Sequence, residues 1–379
     1  MRHSLFSFTL LLAATATFVG CKNDDKETEL VPIAFSEGLY VVNSGNMYSG
    51  ITGGLTTHTY GGTTIQDAFS AANSRHLGGT PNDAIVYGSK LYIVCDGENR
   101  IEVVDPTSIV ASKAISTTEL LGENEGVSPR HIIGAEGCIY VTTYGGYVAA
   151  IDTTDYHLAA KYKVGSYPEG LVYAGDRIFV ANSSYGNAQE PSLCYIRLSD
   201  GHISFFTNEL IQNPSTLLLL NGALYVMEGD VYDWETWAVK SMGGLRRVAQ
   251  NQVERIYDGS MAMGANQMAA YKNRIYMIKD AYTAPVCVVY DTETKTTSEM
   301  HLEGLVAANA INIDPVTGDI IVLSYQQSSE VSEYTQADYN APGFACRYDN
   351  NGTLIEKFNV GVGPTAITFK TGVKWEVKD

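Results

Sequence analysis

One phrase recurs along this chain: a proline turn, a short apolar strand, a tight turn, a second strand and a polar loop. It is clearest from Tyr167 to Asn182. There Pro168-Glu169-Gly170 leads into Leu171-Val172-Tyr173, Gly175-Asp176 reverses the chain, and Ile178-Phe179-Val180-Ala181-Asn182 runs back. Gly-Asp between runs rich in Val, Ile and aromatics is a two-residue hairpin signal. A lone hairpin of this size cannot bury its apolar face, so further copies must supply the partner surface.

The copies begin at positions 81, 129, 168, 214, 266, 308 and 364, with a mean spacing of about 47 residues. Those at Asn266 and Ala308 lack the proline. The last copy, at Pro364, has a first strand (366–369) and little chain after it. A matching second strand, 38–43, stands at the N-terminal end without a turn of its own. Repeats of this length with several short strands each mark a β-propeller. The expected fold is all-β, a seven-bladed β-propeller over residues 37–379. The N-terminal strand would close the last blade, so that no sheet edge is left free. Third strands are expected at 101–105, 148–152 and 286–291, each ending on an Asp suited to open a turn. No helical periodicity stands out beyond the first residues.

Residues 1–20 read as a secretory leader: Arg2, then an apolar run from Leu5 to Val19 that is short for a membrane span. It ends in Phe18-Val19-Gly20-Cys21, which resembles a bacterial lipobox and makes Cys21 the expected lipidation site. Residues 21–36 are expected as a flexible acidic tether. The acidic run after Cys21 resembles the surface-export signal of Bacteroidota lipoproteins, so the expected place is the outer membrane, lipid-anchored and facing outward.

The formal charge is −17. Loss of the leader removes only Arg2, leaving 24 basic residues against 42 acidic ones. That balance argues against nucleic acid, and against anionic membrane beyond the lipid anchor. Beyond Cys21 there are five cysteines, an odd number, and four lie in or beside apolar strand runs. Buried free thiols are the expectation. No metal-spaced Cys/His pair, Gly-x-Ser-x-Gly elbow, His-Glu-x-x-His or phosphate loop occurs. Glu228, Asp230, Asp233 and Glu235 match no calcium loop. No catalytic residue, metal or cofactor is expected.

In a propeller, the turn entering each blade and the loop after its second strand open on one face. The candidate ligand-binding residues sit there. Near the axis they are Asp83, Arg130, His131 and Glu169; on the loops, Asn43, Tyr48, Tyr144, Tyr185, Trp234, Trp237, Tyr282 and Tyr325. Aromatics flanked by Asn, Gln, Ser and Gly suit something flat and amide-rich or sugar-like. Each also has a plainer reading, as a blade cap or a satisfied structural group.

The copies at Pro168 and at 90–94 resemble the YVTN (YncE-like) β-propeller family, a pattern that specifies fold rather than function. With the lipobox and acidic tether, the whole resembles surface lipoproteins of the BtuG type. The resemblance implies a protein that captures cobalamin or a related corrinoid and passes it to an outer-membrane TonB-dependent transporter. No ligand residue carries over by motif. Two other readings stay open: a surface-layer-like propeller binding another protein through the same face, and a propeller lactonase or hydrolase with a metal on its axis.

Overall fold

The computed structural model describes residues 30–186, 192–236, 238–250, 252–261, 266–332 and 334–377. Cys21, the tether up to residue 29 and Trp237 lie outside the described residues. Two compact units are distinguished. The smaller, Met1–Ile33 with Val373–Asp379, contributes strand residues 30–33 and 373–377, with Leu30, Val373, Trp375 and Val377 exposed. The larger is Ala34–Gly372 and holds the rest.

The chain is all-β, built of antiparallel four-stranded sheets in sequence order. Sheet 1 comprises Pro81–Tyr87, Lys90–Cys95, Arg100–Val104 and Ala111–Ser116. Sheet 2 comprises Pro129–Ala135, Cys138–Thr143, Tyr147–Asp152 and Leu158–Lys163. Sheet 3 comprises Pro168–Ala174, Arg177–Asn182, Ser192–Arg197 and Ile203–Phe206, and sheet 4 Pro214–Leu220, Ala223–Glu228, Gly244–Ala249 and Gln252–Asp258. Sheet 5 comprises Met268–Tyr271, Arg274–Lys279, Val286–Asp291 and Thr296–Met300. Sheet 6 comprises Ala307–Ile313, Ile320–Gln327, Pro342–Tyr348 and Leu354–Val362, with Ala337–Asp338 as an added short partner. In sheet 7 the N-terminal strand Leu30–Asn43 lies between Pro364–Val377 and Gly54–Thr59, and Thr64–Ile65 is outermost.

Second strands are the most buried, because each is covered on both faces. Lys90–Cys95, Ala223–Glu228 and Ile320–Gln327 are near-continuous apolar runs rather than alternating ones. Fourth strands such as Leu158–Lys163 alternate with an exposed side. The apolar side chains form cores shared by successive sheets. Tyr92, Val94, Ile139 and Val141 join sheets 1 and 2. Val180, Ile178 and Val148 join 2 and 3, and Leu193, Leu217 and Val226 join 3 and 4. Met227 with Met277 joins 4 and 5, and Ile278 with Phe344 joins 5 and 6. Leu323 and Val41 join 6 and 7, and Val42 and Ile93 join 7 and 1. Cys95, Cys194, Cys287 and Cys346 are buried free thiols within these layers, and Cys138 is half-buried and free.

Third strands end on the expected acids. Asp105 Oδ1 accepts from the backbone N–H groups of Thr107 and Ser108, and Asp291 Oδ1 from those of Glu293 and Thr294. These are side-chain-made turns. Two helices were not expected. α1 (Ala68–Asn73) is capped by Asp67, and α2 (Thr117–Leu121) by Ser116, whose hydroxyl accepts from Glu119 N. Both are under two turns long, too short to leave a periodic trace. Among the described residues no helix is long and apolar enough to cross a membrane.

Candidate functional site

Proline opens the first strand in sheets 1, 2, 3, 4 and 7. In four of these the residue before it is left-handed: Thr80 (φ 44°), Ser128 (φ 49°), Tyr167 (φ 49°) and Gly363 (φ 65°). Its carbonyl accepts from the chain just past the second strand. Asp96 N bonds to Thr80 O (3.2 Å), Tyr144 N to Ser128 O (3.1 Å), Ser183 N to Tyr167 O (3.1 Å) and Ser44 N to Gly363 O (2.7 Å). Turn and loop are thereby tied together at one end of each sheet.

A second device repeats beside the first. The pairing of first and second strands skips a register between Pro81 and Asp83, Pro129 and Ile132, Pro168 and Leu171, and Pro214 and Thr216. Such bulges bend the strand and re-aim the side chains within them. The residues re-aimed include Asn82, Arg130, His131 and Glu169. Neighbouring sheets are laced there by side chains bonding to backbone: Asn82 Nδ2 donates to Arg130 O (2.7 Å), Thr142 Oγ1 to Glu169 O (3.1 Å) and Asn309 Nδ2 to Pro364 O (2.8 Å).

Five of the sequence candidates, Asp83, Arg130, His131, Tyr144 and Glu169, meet in one largely buried network. His131 Nδ1 lies 3.1 Å from Asp83 Oδ2, and its Nε2 3.2 Å from Glu169 Oε2. Arg130 Nη1 pairs with Asp96 Oδ2 at 2.8 Å, and Arg130 Nε reaches Glu169 Oε2 at 3.4 Å. The Tyr144 hydroxyl donates to Glu169 Oε1, and the Arg130 guanidinium lies 4.7 Å from the centre of the Tyr144 ring. Burial alone would raise the Glu169 carboxyl. The Arg130 charge and the His131 and Tyr144 hydrogen bonds outweigh it and hold the group at about 2. Burial likewise opposes charge on His131, but Asp83 and Glu169 raise it above its ordinary value. Burial and the Glu169 charge push the Tyr144 phenol upward, so it stays a neutral donor.

Chemically this network is saturated. Both ring nitrogens of His131 and both oxygens of Glu169 have partners within the network. Its effect is to fix Tyr144. That ring packs edge-on against Tyr167 (centroids 5.2 Å apart) and Tyr185 (5.4 Å), which contact each other at 4.3 Å. The Tyr144–Tyr167 side lines an open groove of ≈ 720 Å³ with Gly145, Gly146, Lys163, Gly165, Ser166, Phe205 and Thr207. Asp83 and His131 also border a cavity of ≈ 350 Å³ lined by first strands of sheets 1 to 6, among them Leu171, Leu217, Met268 and Ile311.

The remaining candidates lie elsewhere. Tyr282 is half-buried and its hydroxyl donates to Asn309 Oδ1 at 2.9 Å. Tyr325 is buried, not displayed, in a small core with Ala307 and Ala337, and its ring meets Tyr339 edge-on at 5.0 Å. Asn43 is also buried: its amide donates to Thr56 Oγ1 (3.0 Å) and Val41 O (3.2 Å) and so ties strands together. Tyr48 is 94 % exposed on the turn Met47–Ser49, and Trp234 is 47 % exposed on the loop of sheet 4. The sequence reading passed over Asp96, Tyr167 and Phe205. Tyr167 had a signal, since it is the aromatic directly before a repeat proline. Among the described residues one trio could approach a metal, Asp152, Asp155 and His157; it is at the other end of sheet 2, and His157 is already paired to Asp155.

The sequence pattern of a family described as "Domain of unknown function (DUF5074)" matches residues 37–363. No curated protein matches the chain in sequence. Among solved structures, the chain is similar to Kuenenia stuttgartiensis hydrazine synthase at a TM-score of 0.54 and 13 % identity, over 79 % of this chain and 95 % of that one. It is also similar to the computationally designed Ika8 protein at a TM-score of 0.50 and 10 % identity, over 79 % and 96 %. At such identities the likeness concerns fold alone, an all-β architecture of repeated sheets.

Proposed function

The chain belongs to the DUF5074 family, and from that premise we propose that it is a non-catalytic binding protein, a seven-bladed β-propeller of the YVTN type. Support for the propeller comes from the shared cores, which link sheet 1 to 2, each later sheet to the next, and 7 back to 1. The ligand is taken in the groove beside Tyr144, Tyr167 and Phe205. One observation carries this: a tyrosine cluster borders open space while Arg130, His131 and Glu169 beneath it are paired with one another and with Asp83 and Asp96. A groove of ≈ 720 Å³ is in the range of about 300–1,000 Å³ typical of small-molecule sites. Tyr rings and glycine backbone suit a flat ligand edged with amides.

A corrinoid has that chemistry, and cobalamin is the ligand we assign. With Cys21 as a lipid anchor, the protein captures it at the outer face of the outer membrane and hands it to a TonB-dependent transporter. The test is calorimetric titration of the purified protein with cyanocobalamin. One-to-one binding is expected, weakened about tenfold or more by Tyr167→Ala or Phe205→Ala. Binding that survives both changes keeps the function and removes the groove. No corrinoid binding removes the ligand and leaves a protein partner, toward which the exposed Met47 and Tyr48 side chains point.

A further inference from the structure

A further cavity, of ≈ 270 Å³, opens at the same end of sheet 5, where Tyr232, Ser260, Asp280, Tyr282, Thr283 and Tyr334 line it. Its walls are fixed from outside. Asp280 N donates to Ser260 O (3.0 Å), Gln336 N donates to Tyr282 O (2.8 Å), and the Tyr282 hydroxyl is held by Asn309. The Ser260 hydroxyl is committed to Asp230 Oδ2 at 2.7 Å, and Tyr232 also bonds to Asp230. With those hydroxyls engaged, what Tyr232 and Tyr282 offer the cavity is ring surface.

Asp280 is different. Among the described residues its carboxylate has no hydrogen bond and no ion pair; the neighbouring Lys279 ammonium feels its charge but makes its ion pair with Glu299. A half-buried carboxylate with no direct hydrogen-bond or ion-pair partner is open to an incoming cation. Tyrosine ring faces attract the same charge through their quadrupoles. A divalent metal is excluded by ligand count, since calcium takes about six to eight oxygens and magnesium about six, and one free carboxylate is present here. The volume is below the range of about 300–1,000 Å³ for whole drug-sized ligands, so a head group is accommodated and not a large molecule.

We propose that the Tyr232–Asp280–Tyr282–Tyr334 cavity binds an alkylammonium group, with Asp280 as its counter-ion and the tyrosine rings as its box. This does not depend on the corrinoid reading. The test is calorimetric titration of the purified protein with choline, with its uncharged isostere 3,3-dimethylbutan-1-ol, and with Nα-acetyl-lysine methylamide. Choline is expected to bind about tenfold more tightly than the isostere, Asp280→Asn to abolish that preference, and Tyr334→Ala to weaken choline severalfold. Asn tolerates the left-handed backbone at Asp280 (φ 51°), and Tyr334 is exposed, so both variants should fold. Tighter binding of the lysine derivative than of choline assigns the group to a partner's lysine; the reverse assigns it to a free quaternary amine. Equal binding of choline and the isostere, no binding of either cation, or choline binding unchanged in Asp280→Asn overturns the proposal.

Discussion

His131 Nε2 and Glu169 Oε2 stand 3.2 Å apart where sheet 2 meets sheet 3, and both side chains are almost wholly buried. Glu169 is also the acceptor for Arg130 and Tyr144. Its removal leaves Arg130 with Asp96 alone, His131 with Asp83 alone, and the Tyr144 hydroxyl without its acceptor. Truncation of one partner in a buried ion pair costs about 3–5 kcal/mol. Glu169→Ala should therefore lower unfolding stability in urea by roughly that amount, and Glu169→Gln by less, because an acceptor remains. A loss below about 1 kcal/mol for the alanine variant would mean that the network contributes little.

The same pair sets a pH window. Glu169 is held at about 2 in the folded state against an ordinary 4.5, so its contribution is present above 4.5 and is lost as pH falls toward 2. His131 is raised above its ordinary 6.5, so its contribution is full below 6.5 and is lost as pH rises through its folded value. The stability difference between wild type and Glu169→Gln should peak between pH 4.5 and 6.5. Thermal melts across pH 3 to 9 would show this, and a flat difference would contradict it.

The repeat prolines marked where the strands begin. Pro81, Pro129, Pro168, Pro214 and Pro364 each open a first strand, because a fixed φ and a missing N–H suit a strand's first position. The place of the N-terminal strand beside Pro364–Val377 was legible for a similar reason, since one copy lacked a second strand and the other end of the chain had one to spare. The pairing of Arg130, His131 and Glu169 was not legible. These residues are 38 or 39 positions apart, and only the bulge geometry decides which polar groups of successive repeats meet. A rule was available in hindsight: in sheets 1 to 4 the one or two residues directly after the proline are the ones the bulge re-aims. The burial of Asn43 and Tyr325 was not legible either, because a polar or aromatic residue at a strand's end looks the same in sequence whether it caps a core or faces solvent.

Glu228 at the end of the second strand in sheet 4 should register as a neutral carboxyl. Its Oε2 accepts from Gln212 N (2.6 Å) and Asn213 N (2.9 Å), while Oε1 is buried without a hydrogen-bond partner. Burial outweighs those bonds and pushes the group up to about 7. A raised folded value means stability fully present below 4.5 and lost as pH climbs through 7. Glu228→Gln keeps an acceptor and cannot ionise, so the variant should gain on wild type by about 1 kcal/mol or more between pH 5 and pH 8. Denaturation curves at the two pH values test this; an unchanged gap would show that the carboxyl is ionised throughout.

Gly170 should tolerate no side chain. A Cβ there would be 2.5 Å from Ser215 O, a backbone atom of the next first strand that cannot rotate away. Gly170→Ala must push sheets 3 and 4 apart at the cavity they line together. Overpacking of this kind costs about 1–3 kcal/mol. A lowered melting temperature with an unchanged circular dichroism spectrum is the expected result, and an unaltered melting temperature would contradict so close an approach.

Ser128 offers the opposite experiment. It is left-handed (φ 49°) and directly precedes Pro129, a combination that sterics disfavour twice over. What holds it there is backbone: its N–H donates to Asn99 Oδ1 (2.8 Å), and its carbonyl accepts from Tyr144 N (3.1 Å). Both bonds survive a change of side chain. Ser128→Gly relieves about 1–2 kcal/mol of strain and gives back about 0.5–1 kcal/mol through a more disordered unfolded chain, for a net gain of up to about 1.5 kcal/mol. Ser128→Val adds a branched Cβ to the same conformation and should lose at least about 1 kcal/mol. Because Ser128 O anchors the loop bearing Tyr144, the valine variant should also weaken ligand binding in the groove, while the glycine variant leaves it intact. Equal stability of the two variants would mean that the left-handed turn is not what fixes Tyr144.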